Sequence, residues 1–264
     1  MTTRPVAVVT GAARGIGAAV AVGLADAGWD LVLGDVSDPG VVAGLSYALS
    51  TRAELDAVGA DCRAHGATVT TASCDVRNEA DVESLVAVAG GQLHAAVAVA
   101  GILGTDGVAW EQSAADLDRD LSVNLHGVAN LSRAAVPVLL AATNPAQCRF
   151  VAVISSAATR GLPRLASYVS AKHAALGYLR SLAADLAPSG ITANAVLPGS
   201  TRTPLLDRTA AAYGLASSDL FSANQRIGRL IEPAEIAAAV VWLCSPEASA
   251  VTGSVLSVDG GFTG

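Results

Sequence analysis

Hydrophobic and polar positions along the chain alternate between short, nearly uninterrupted apolar runs and longer segments with helical spacing. The short runs are rich in β-branched and small apolar residues and lie at positions 5–10, 30–35, 67–73, 95–100, 149–155, 191–197 and 254–258. Continuous hydrophobicity is typical of strands buried on both faces, and strands that alternate with helices form parallel sheets. The pattern therefore predicts an α/β fold, a doubly wound parallel sheet of seven strands with helices on both faces. A chain of 264 residues fits one such domain.

Several helix ends are marked by specific residues. Thr51 and Glu54 have the spacing of a capping box, in which each side chain satisfies a backbone N–H at the helix start. Gly66 is expected to end that helix, and Glu232-Pro233 to begin a later one. Two long helices are predicted at 124–142 and 166–187.

The composition excludes several classes of protein. With 52% hydrophobic and only 15% charged residues, the chain can bury enough apolar surface to fold. Its longest uncharged stretch, 84–105, is interrupted by Gly90 and Gly91, so we predict no membrane span. The first residues lack the pattern of a signal peptide, which favours a cytoplasmic location. A net charge of −7 without a basic cluster argues against nucleic acid and membrane partners and favours a small molecule.

The cysteines and histidines do not have the spacing of metal ligands. Four Cys and four His are scattered along the chain, at intervals unlike those of known metal sites. We predict no bound metal and expect the cysteines to be buried free thiols.

A glycine-rich segment directly follows the first predicted strand. It runs from Thr10 through Gly11, Arg14, Gly15, Ile16 and Gly17 into a helix. Glycines in such a loop permit a tight turn, the approach of a phosphate to the backbone, and close packing of the helix. The helix N-terminus offers free N–H groups and a positive dipole end to a diphosphate. The segment therefore predicts a dinucleotide site.

Acidic residues at the ends of the next two strands define the rest of this site. Asp35 lies 18 residues after Gly17, near the offset at which a carboxylate accepts hydrogen bonds from the adenosine ribose. It predicts NAD, because a 2′-phosphate would be repelled, although Arg14 beside the glycine loop could instead attract that phosphate. Asp75-Val76 follows the third strand, where the carboxylate could accept from the adenine amine. Val99-Ala100-Gly101 ends the fourth strand.

Tyr168 and Lys172 stand four residues apart on a predicted helix and therefore share one face. An adjacent ammonium favours the ionised phenol and should lower the pKa of Tyr168, which would make it a usable acid or base. Ser156, at the end of the fifth strand, could hydrogen-bond a substrate oxygen. Asn124 could anchor a water on the lysine side.

Taken in order along the whole chain, these motifs resemble the short-chain dehydrogenase/reductase family, as does the ending Val251-Thr252-Gly253 through Val258-Asp259-Gly260-Gly261. The resemblance implies a Rossmann-type domain with strand order 3-2-1-4-5-6-7 and a nicotinamide cofactor. It also implies Tyr168 as the acid/base, Lys172 as the ligand of the nicotinamide ribose, Ser156 as the group that orients the substrate, and Asn124 as part of a proton relay. The segment bordering the nicotinamide would contain Pro198, Gly199, Thr201 and Thr203.

Two features depart from the family pattern. Val99 stands where most members have an Asn that supports the central strand, so cofactor contacts there are expected from the backbone alone. The interval from Ser156 to Tyr168 is 12 residues instead of the common 13. Ser155 therefore remains an alternative to Ser156, which we prefer here as the second serine of the pair.

Residues 36–50 form a longer connection than most strand–helix loops. The run from Gly44 through Tyr47 to Leu55 is similar to an insertion in the mycofactocin-coupled branch of the family. That resemblance implies a tightly held NAD whose electrons pass to mycofactocin, a peptide-derived redox carrier. An unrelated surface insertion is the alternative. Tyr47 and its apolar neighbours are expected to fold over the adenine side.

A second irregular segment, 201–230, is predicted to be the substrate lid. Its apolar residues favour a small apolar alcohol or ketone as substrate. These residues are Leu205, Leu206, Tyr213, Leu215 and Phe221. The leading hypothesis is an NAD-dependent alcohol dehydrogenase or carbonyl reductase. The alternative is a catalytically idle NAD-binding scaffold or redox sensor. The helices at 124–142 and 166–187 resemble those that pair between subunits in the family, which implies a homotetramer or dimer.

Overall fold

The sheet has seven parallel strands in the order β3-β2-β1-β4-β5-β6-β7, as seen in a computed structural model that describes residues 4–264. The strands are β1 Val6–Thr10, β2 Asp30–Asp35, β3 Val69–Ser73, β4 Leu93–Ala98, β5 Arg149–Val153, β6 Thr192–Pro198 and β7 Val255–Val258. The fold class predicted from the hydrophobic pattern and the strand order implied by the family resemblance are both confirmed.

Strand β4 begins and ends two residues earlier than predicted. The β1–β4 register shifts between Val6 and Ala7, and the Val6 amide donates to Nδ1 of His94 at 3.2 Å. At the other end the Val99 amide leaves the ladder and donates to Oγ1 of Thr10 at 3.3 Å. At each end of the β1–β4 pair, a backbone amide therefore donates to a side chain instead of to a carbonyl of the neighbouring strand. A hydrophobic pattern does not reveal such side-chain acceptors.

Helices cover both faces of the sheet. They are α1 Gly15–Asp26, α2 Arg52–Ala64, α3 Glu79–Ala87, α4 Ala114–Asn124, α5 His126–Leu140, α6 Ala166–Leu186, α7 Pro204–Ala212 and α8 Pro233–Cys244. One apolar core lies between the sheet and α1, α2 and α8, and a second between the sheet and α3 to α6. Small residues let these layers approach closely: a methyl group at Gly23 of α1 would lie 3.2 Å from the Val241 side chain of α8.

The predicted helix ends are confirmed, and a separate helix, α4, directly precedes the one predicted at 124–142. Thr51 and Glu54 form the reciprocal capping box, Gly66 follows the end of α2 with a φ of +79°, and α8 begins at Pro233. The helix predicted at 124–142 is α5, which is two residues shorter at each end, because α4 ends at Asn124 and a break at Leu125 precedes His126. The break lets α5 pack closely against the segment after β3, where Asn130 Nδ2 donates to the Val76 carbonyl at 2.8 Å.

All four cysteines, Cys62, Cys74, Cys148 and Cys244, are buried and free, as predicted. Within residues 4–264 no cluster of His, Cys, Asp or Glu side chains has the arrangement of a metal site. None of the helices in this range is both long enough and apolar enough to cross a membrane.

Candidate active site

A cavity of about 720 Å³ opens at the carboxyl ends of the strands. Such clefts are where open α/β sheets bind their ligands. Every residue predicted to contact the cofactor lines it, namely Gly11, Arg14, Gly15, Ile16, Gly17, Asp35, Asp75, Val76, Ala100, Gly101, Tyr168, Lys172, Pro198, Gly199, Thr201 and Thr203. The apolar lid residues Leu205, Leu206, Tyr213, Leu215 and Phe221 line the other end.

The glycine loop leaves no room for side chains at two positions. Gly11 has a φ of +69°, and a methyl group there would lie 2.6 Å from the backbone of Ala100. A methyl group at Gly17 would overlap the Gly11 carbonyl at 1.9 Å. These glycines bring the start of α1 against the loop after β4, so that backbone N–H groups at the helix N-terminus face the cavity.

Asp35 is held by three hydrogen-bond donors. Its carboxylate accepts from the Ala13 amide at 2.8 Å, the Val36 amide at 2.8 Å and the Ser50 hydroxyl at 2.6 Å. These donors fix the position of the carboxylate, and an acidic group at this position disfavours a cofactor with a 2′-phosphate. Ser50 was not recognised from the sequence, because only the folding back of the insertion brings it to Asp35.

Arg14 is already engaged by protein groups. Its Nη2 donates to the Ala48 carbonyl at 3.1 Å, and its Nη1 lies 3.9 Å from the Glu54 carboxylate. Both partners compete for the guanidinium that an added phosphate would need. The geometry therefore favours Asp35 over Arg14 as the residue that sets cofactor preference.

Asp75 is fixed by its neighbour Arg77. The guanidinium makes hydrogen bonds of 2.6–3.0 Å to the Asp75 carboxylate, and the Arg77 amide donates to it at 3.0 Å. Burial alone would raise the pKa of Asp75, but these bonds outweigh burial and lower it. The carboxylate is thus held ionised at the edge of the cavity, with its position set by the arginine.

The insertion at 36–50 is held by arginines from three parts of the fold. Carbonyl groups of the insertion accept hydrogen bonds of 3.0–3.1 Å from Arg14 of the glycine loop, Arg77 after β3 and Arg119 of α4; the acceptors are Ala48, Val41 and Ala43. The segment therefore folds back over the nucleotide end of the cavity.

Tyr47 lies deeper in the cavity than the predicted position over the adenine side. Its hydroxyl accepts from the Leu103 amide, beyond the end of β4, at 3.1 Å. Burial raises the pKa of the Tyr47 phenol, and the charge of Asp120 adds to that effect. Tyr47 therefore belongs to the middle of the cavity, near the predicted catalytic residues, whereas Val42 and Leu49 of the same insertion line the nucleotide side.

Tyr168 and Lys172 lie in the first turns of α6, with Nζ of Lys172 at 5.6 Å from the centre of the tyrosine ring. Burial raises the pKa of Tyr168 to about 12 and lowers the pKa of Lys172 to about 8. The expected lowering of the tyrosine pKa is therefore not found, because burial disfavours the phenolate more strongly than its surroundings stabilise it.

The surroundings of Tyr168 favour Ser155, the alternative to the preferred Ser156, as the serine that acts on the phenol. A hydrogen bond from the Ser155 side chain acts to lower the Tyr168 pKa, against the larger effect of burial. Both serines line the cavity, but Ser156 begins the short 3₁₀ turn 156–158. Ser155 is 13 residues before Tyr168, which is the interval typical of the family.

Asn124 does not line the cavity but lies behind it. Its side chain accepts from the Ile102 amide at 3.1 Å and donates to the Ile102 carbonyl at 3.0 Å. A methyl group at Gly101 would lie 3.0 Å from Asn124 Oδ1 and 3.1 Å from Lys172 Nζ. The amide is therefore on the lysine side, as expected, and it also fixes the loop after β4.

Sequence reasoning missed Asp120, one helical turn before Asn124 on α4. Its side chain is fully buried, and Oδ1 accepts from the Gly104 amide at 2.9 Å. Burial raises its pKa to about 6. The available signal was a charged residue four positions from Asn124, hence on the same helix face as a predicted functional group.

The fold and these residues define a dinucleotide-binding α/β protein whose cavity joins a nucleotide end to a Ser-Tyr-Lys group. A family model described as enoyl-(acyl carrier protein) reductase matches residues 11–263. The chain belongs to this family, the short-chain dehydrogenases/reductases, and so to a family of oxidoreductases.

Known relatives span nearly the whole chain. It is 36% identical to cis-4-hydroxycyclohexanecarboxylate dehydrogenase of Sinomonas cyclohexanicum, covering 98% of this chain and 96% of the relative. It is 31% identical to (-)-trans-carveol dehydrogenase of Rhodococcus erythropolis, covering 98% of this chain and 97% of the relative. The chain also superposes on the structure of carveol dehydrogenase from Mycobacterium avium in complex with NAD with a TM-score of 0.91. The two sequences are 28% identical, and the match covers 98% of this chain and 97% of that one. The NAD prediction agrees with that complex.

Proposed function

We propose that this protein is an NAD-dependent dehydrogenase that transfers a hydride between the cofactor and the carbinol or carbonyl carbon of a small cyclic alcohol or ketone. The observation that carries the proposal is that one cavity is lined by the glycine loop and Asp35 at one end and by Ser155, Tyr168 and Lys172 at the other. The arrangement joins a dinucleotide site to an acid/base group, which is what the reaction needs.

The residues present fit NAD. The glycine loop offers backbone N–H groups to a diphosphate, Asp35 accepts from ribose hydroxyls, and Lys172 would donate to the second ribose. The remaining contacts would come from Asp75, Val76, Ala100, Gly101, Pro198, Gly199, Thr201 and Thr203. When bound, NAD supplies the carbon that accepts or releases the hydride.

Protein side chains handle the proton. In reduction, the Tyr168 hydroxyl gives a proton to the substrate oxygen as the carbonyl carbon gains the hydride. In oxidation, the phenolate takes the alcohol proton while the carbinol carbon loses the hydride. Ser155 orients the substrate oxygen through a hydrogen bond. With a pKa of about 12, Tyr168 is protonated at neutral pH, so the site as it stands favours the donor role.

A cyclic secondary alcohol fits the apolar end of the cavity. Leu205 and Leu206 of α7, with Tyr213 and Phe221 beyond it, form this end; the two aromatic rings pack edge to face with centres 6.1 Å apart. Thr203 caps the N-terminus of α7, where its hydroxyl accepts from the Leu206 amide at 3.3 Å. We propose that residues 201–230 are the substrate lid. The two named dehydrogenase relatives act on alcohols of six-membered carbon rings, and we propose the same class here.

Tight retention of NAD and transfer of its electrons to mycofactocin are proposed for this protein on the basis of the insertion. Its three arginine contacts and the Ser50–Asp35 bond would have to break before the adenosine end could leave. NAD should then copurify with the protein, and an artificial electron acceptor should support faster alcohol oxidation than added NAD. Protein that purifies without NAD and turns over freely with added NAD would contradict this part.

We also propose a cytoplasmic homotetramer or dimer. Four buried free thiols suit a reducing compartment. Leu140 at the end of α5 is 47% exposed, so an apolar side chain is available on one of the helices implied to pair. Light scattering on the purified protein measures the mass, and a monomer at micromolar concentration would contradict the oligomer.

Tyr168→Phe tests the proposed reaction. Removing the hydroxyl should reduce turnover of carveol, cyclohexanol and cis-4-hydroxycyclohexanecarboxylate at least 10²-fold while NAD binding is kept, because only the proton-transfer group is lost. Tyr178→Phe, the same change on the same helix, is the matched control, since Tyr178 contacts Ser132 away from the cavity. Binding of NAD without turnover of any alcohol by the wild type, with NAD or an artificial acceptor, would favour the idle scaffold or redox sensor.

A further inference from the structure

The Asp120 carboxylate is a buried charged group with one oxygen free of hydrogen bonds. Oδ1 accepts from the Gly104 amide at 2.9 Å, whereas Oδ2 has no hydrogen-bond partner, and the side chain is fully buried. Burying a carboxylate without full compensation is costly. A group held in this state is a candidate for function.

The surroundings of Asp120 connect it to Lys172. The Asn124 amide donates to the Asp120 main-chain carbonyl at 3.0 Å and lies 3.4 Å from Oδ1. On its other side the same amide faces Gly101, next to Lys172 Nζ. Asp120 and Asn124 of α4 thus lie buried behind the cavity, and Asn124 faces the same glycine as the buried Lys172 of α6, which lines the cavity.

The charged and titratable groups around Asp120 come from four elements. Lys172 of α6 and Arg119 of α4 favour its ionised form, as do the Gly104 and Thr105 amides after β4. Its negative charge raises the pKa of Tyr168 of α6 and of Tyr47 of the insertion. Arg208 of α7 acts on Tyr47 and is itself paired with Asp106 at 2.7 Å.

We propose that Asp120 is a positioning residue for the reaction, whose buried carboxylate holds the proton on Lys172 and Tyr168 and so sets the pH range of activity. This role rests on the proposed function. The residue touches neither cofactor nor substrate and acts through the two side chains that do.

The direction of the effect follows from the charges. A negative Asp120 raises the pKa of both Lys172 and Tyr168. Removing the charge therefore lowers both values, so that Lys172 loses its proton and Tyr168 becomes a phenolate at lower pH. Reduction needs Tyr168 protonated, and oxidation needs it ionised beside a charged lysine. The alkaline limb of the reduction profile and the acidic limb of the oxidation profile should both move to lower pH.

Asp120→Asn tests the role, because it removes the charge and keeps an oxygen for the Gly104 amide. We expect the pH profiles of kcat to move down by about one unit relative to the wild type. The two enzymes should converge below about pH 6, where the wild-type carboxyl becomes protonated. Asp118→Asn is the matched control, since Asp118 is an exposed residue of the same helix. Its profile should coincide with that of the wild type.

A purely structural role gives a different result. It predicts a lower melting temperature and a kcat reduced by the same factor at every pH, with limbs that do not move, and that outcome overturns the proposal. A wild type that turns over no alcohol overturns the proposed function instead.

A measurement on the folded wild type avoids dependence on Asp120→Asn. Protein labelled with ¹³C at the aspartate carboxyl carbons should show one carboxyl that titrates near pH 6. Its titration point should rise in Lys172→Met, because the ammonium that favours the ionised carboxylate is gone. Absence of such a carboxyl, or a titration point unaffected by the lysine change, contradicts the buried charge pair.

Discussion

At the scale of single residues, the two adjacent serines have different surroundings. Ser155 interacts with the Tyr168 phenol, whereas Ser156 begins a 3₁₀ turn. Ser155→Ala should lower kcat about 10²-fold, because a hydrogen bond to the developing oxyanion is lost. Ser156→Ala, the matched control, should change kcat less than about 3-fold. Equal loss in the two variants, or a larger loss for Ser156→Ala, would contradict the assignment, and steady-state kinetics with one alcohol decide it.

Asp35 should control the choice between NAD and NADP. Its carboxylate is fixed by Ala13, Val36 and Ser50 and repels a 2′-phosphate. In Asp35→Ser we expect the affinity of cofactor-free protein to fall about 10-fold for NAD and to rise for NADP, because the ribose acceptor and the repulsion are both lost; titration of each cofactor gives the affinity ratio. Asp38→Ser, at an exposed position of the insertion, should leave the ratio unchanged. A ratio that is the same in wild type and Asp35→Ser would show that another residue sets the preference.

At the scale of elements, the insertion is the segment that distinguishes this fold from a plain dinucleotide-binding domain. Arg119 of α4 donates to its Ala43 carbonyl at 3.0 Å. Arg119→Ala should increase the rate of NAD release about 10-fold, since a charge-assisted hydrogen bond contributes about 1.5 kcal/mol or more. Arg133→Ala, which removes an exposed guanidinium of α5, is the control. Release can be followed by trapping the free cofactor, and an unchanged rate would mean that the insertion does not retain NAD.

The elements also show which features a single sequence can reveal. Strands buried on both faces produce uninterrupted apolar runs, so all seven were found within two residues at each end. Thr51 and Glu54 are only three residues apart, so their capping box can also be predicted from the local sequence. Residues 36–50 have no periodicity, and their path depends on arginines distant in sequence. The depth of Tyr47 and the contact between Ser50 and Asp35 could therefore not be predicted.

At the scale of the whole molecule, the sequence predicts the parts of the active site that depend on short spacings, but not those that depend on how the layers pack. Tyr168, Lys172 and the glycine loop have short-range spacings that the sequence displays. The burial of Asp120 depends instead on how α4 packs against α6, and the break at Leu125 depends on the docking of α5. Both are properties of the assembled layers.

The closely packed cores place the two ends of one cavity within reach of a single dinucleotide, as direct hydride transfer between NAD and an alcohol requires. The most direct test uses a cyclic secondary alcohol deuterated at the carbinol carbon, incubated with the NAD-loaded protein. Mass spectrometry of the released cofactor should show reduced NAD carrying one deuterium at the nicotinamide C4, and the Tyr168→Phe variant should show none. Reduced cofactor without deuterium, or no reduced cofactor with any alcohol of this class, would contradict direct hydride transfer.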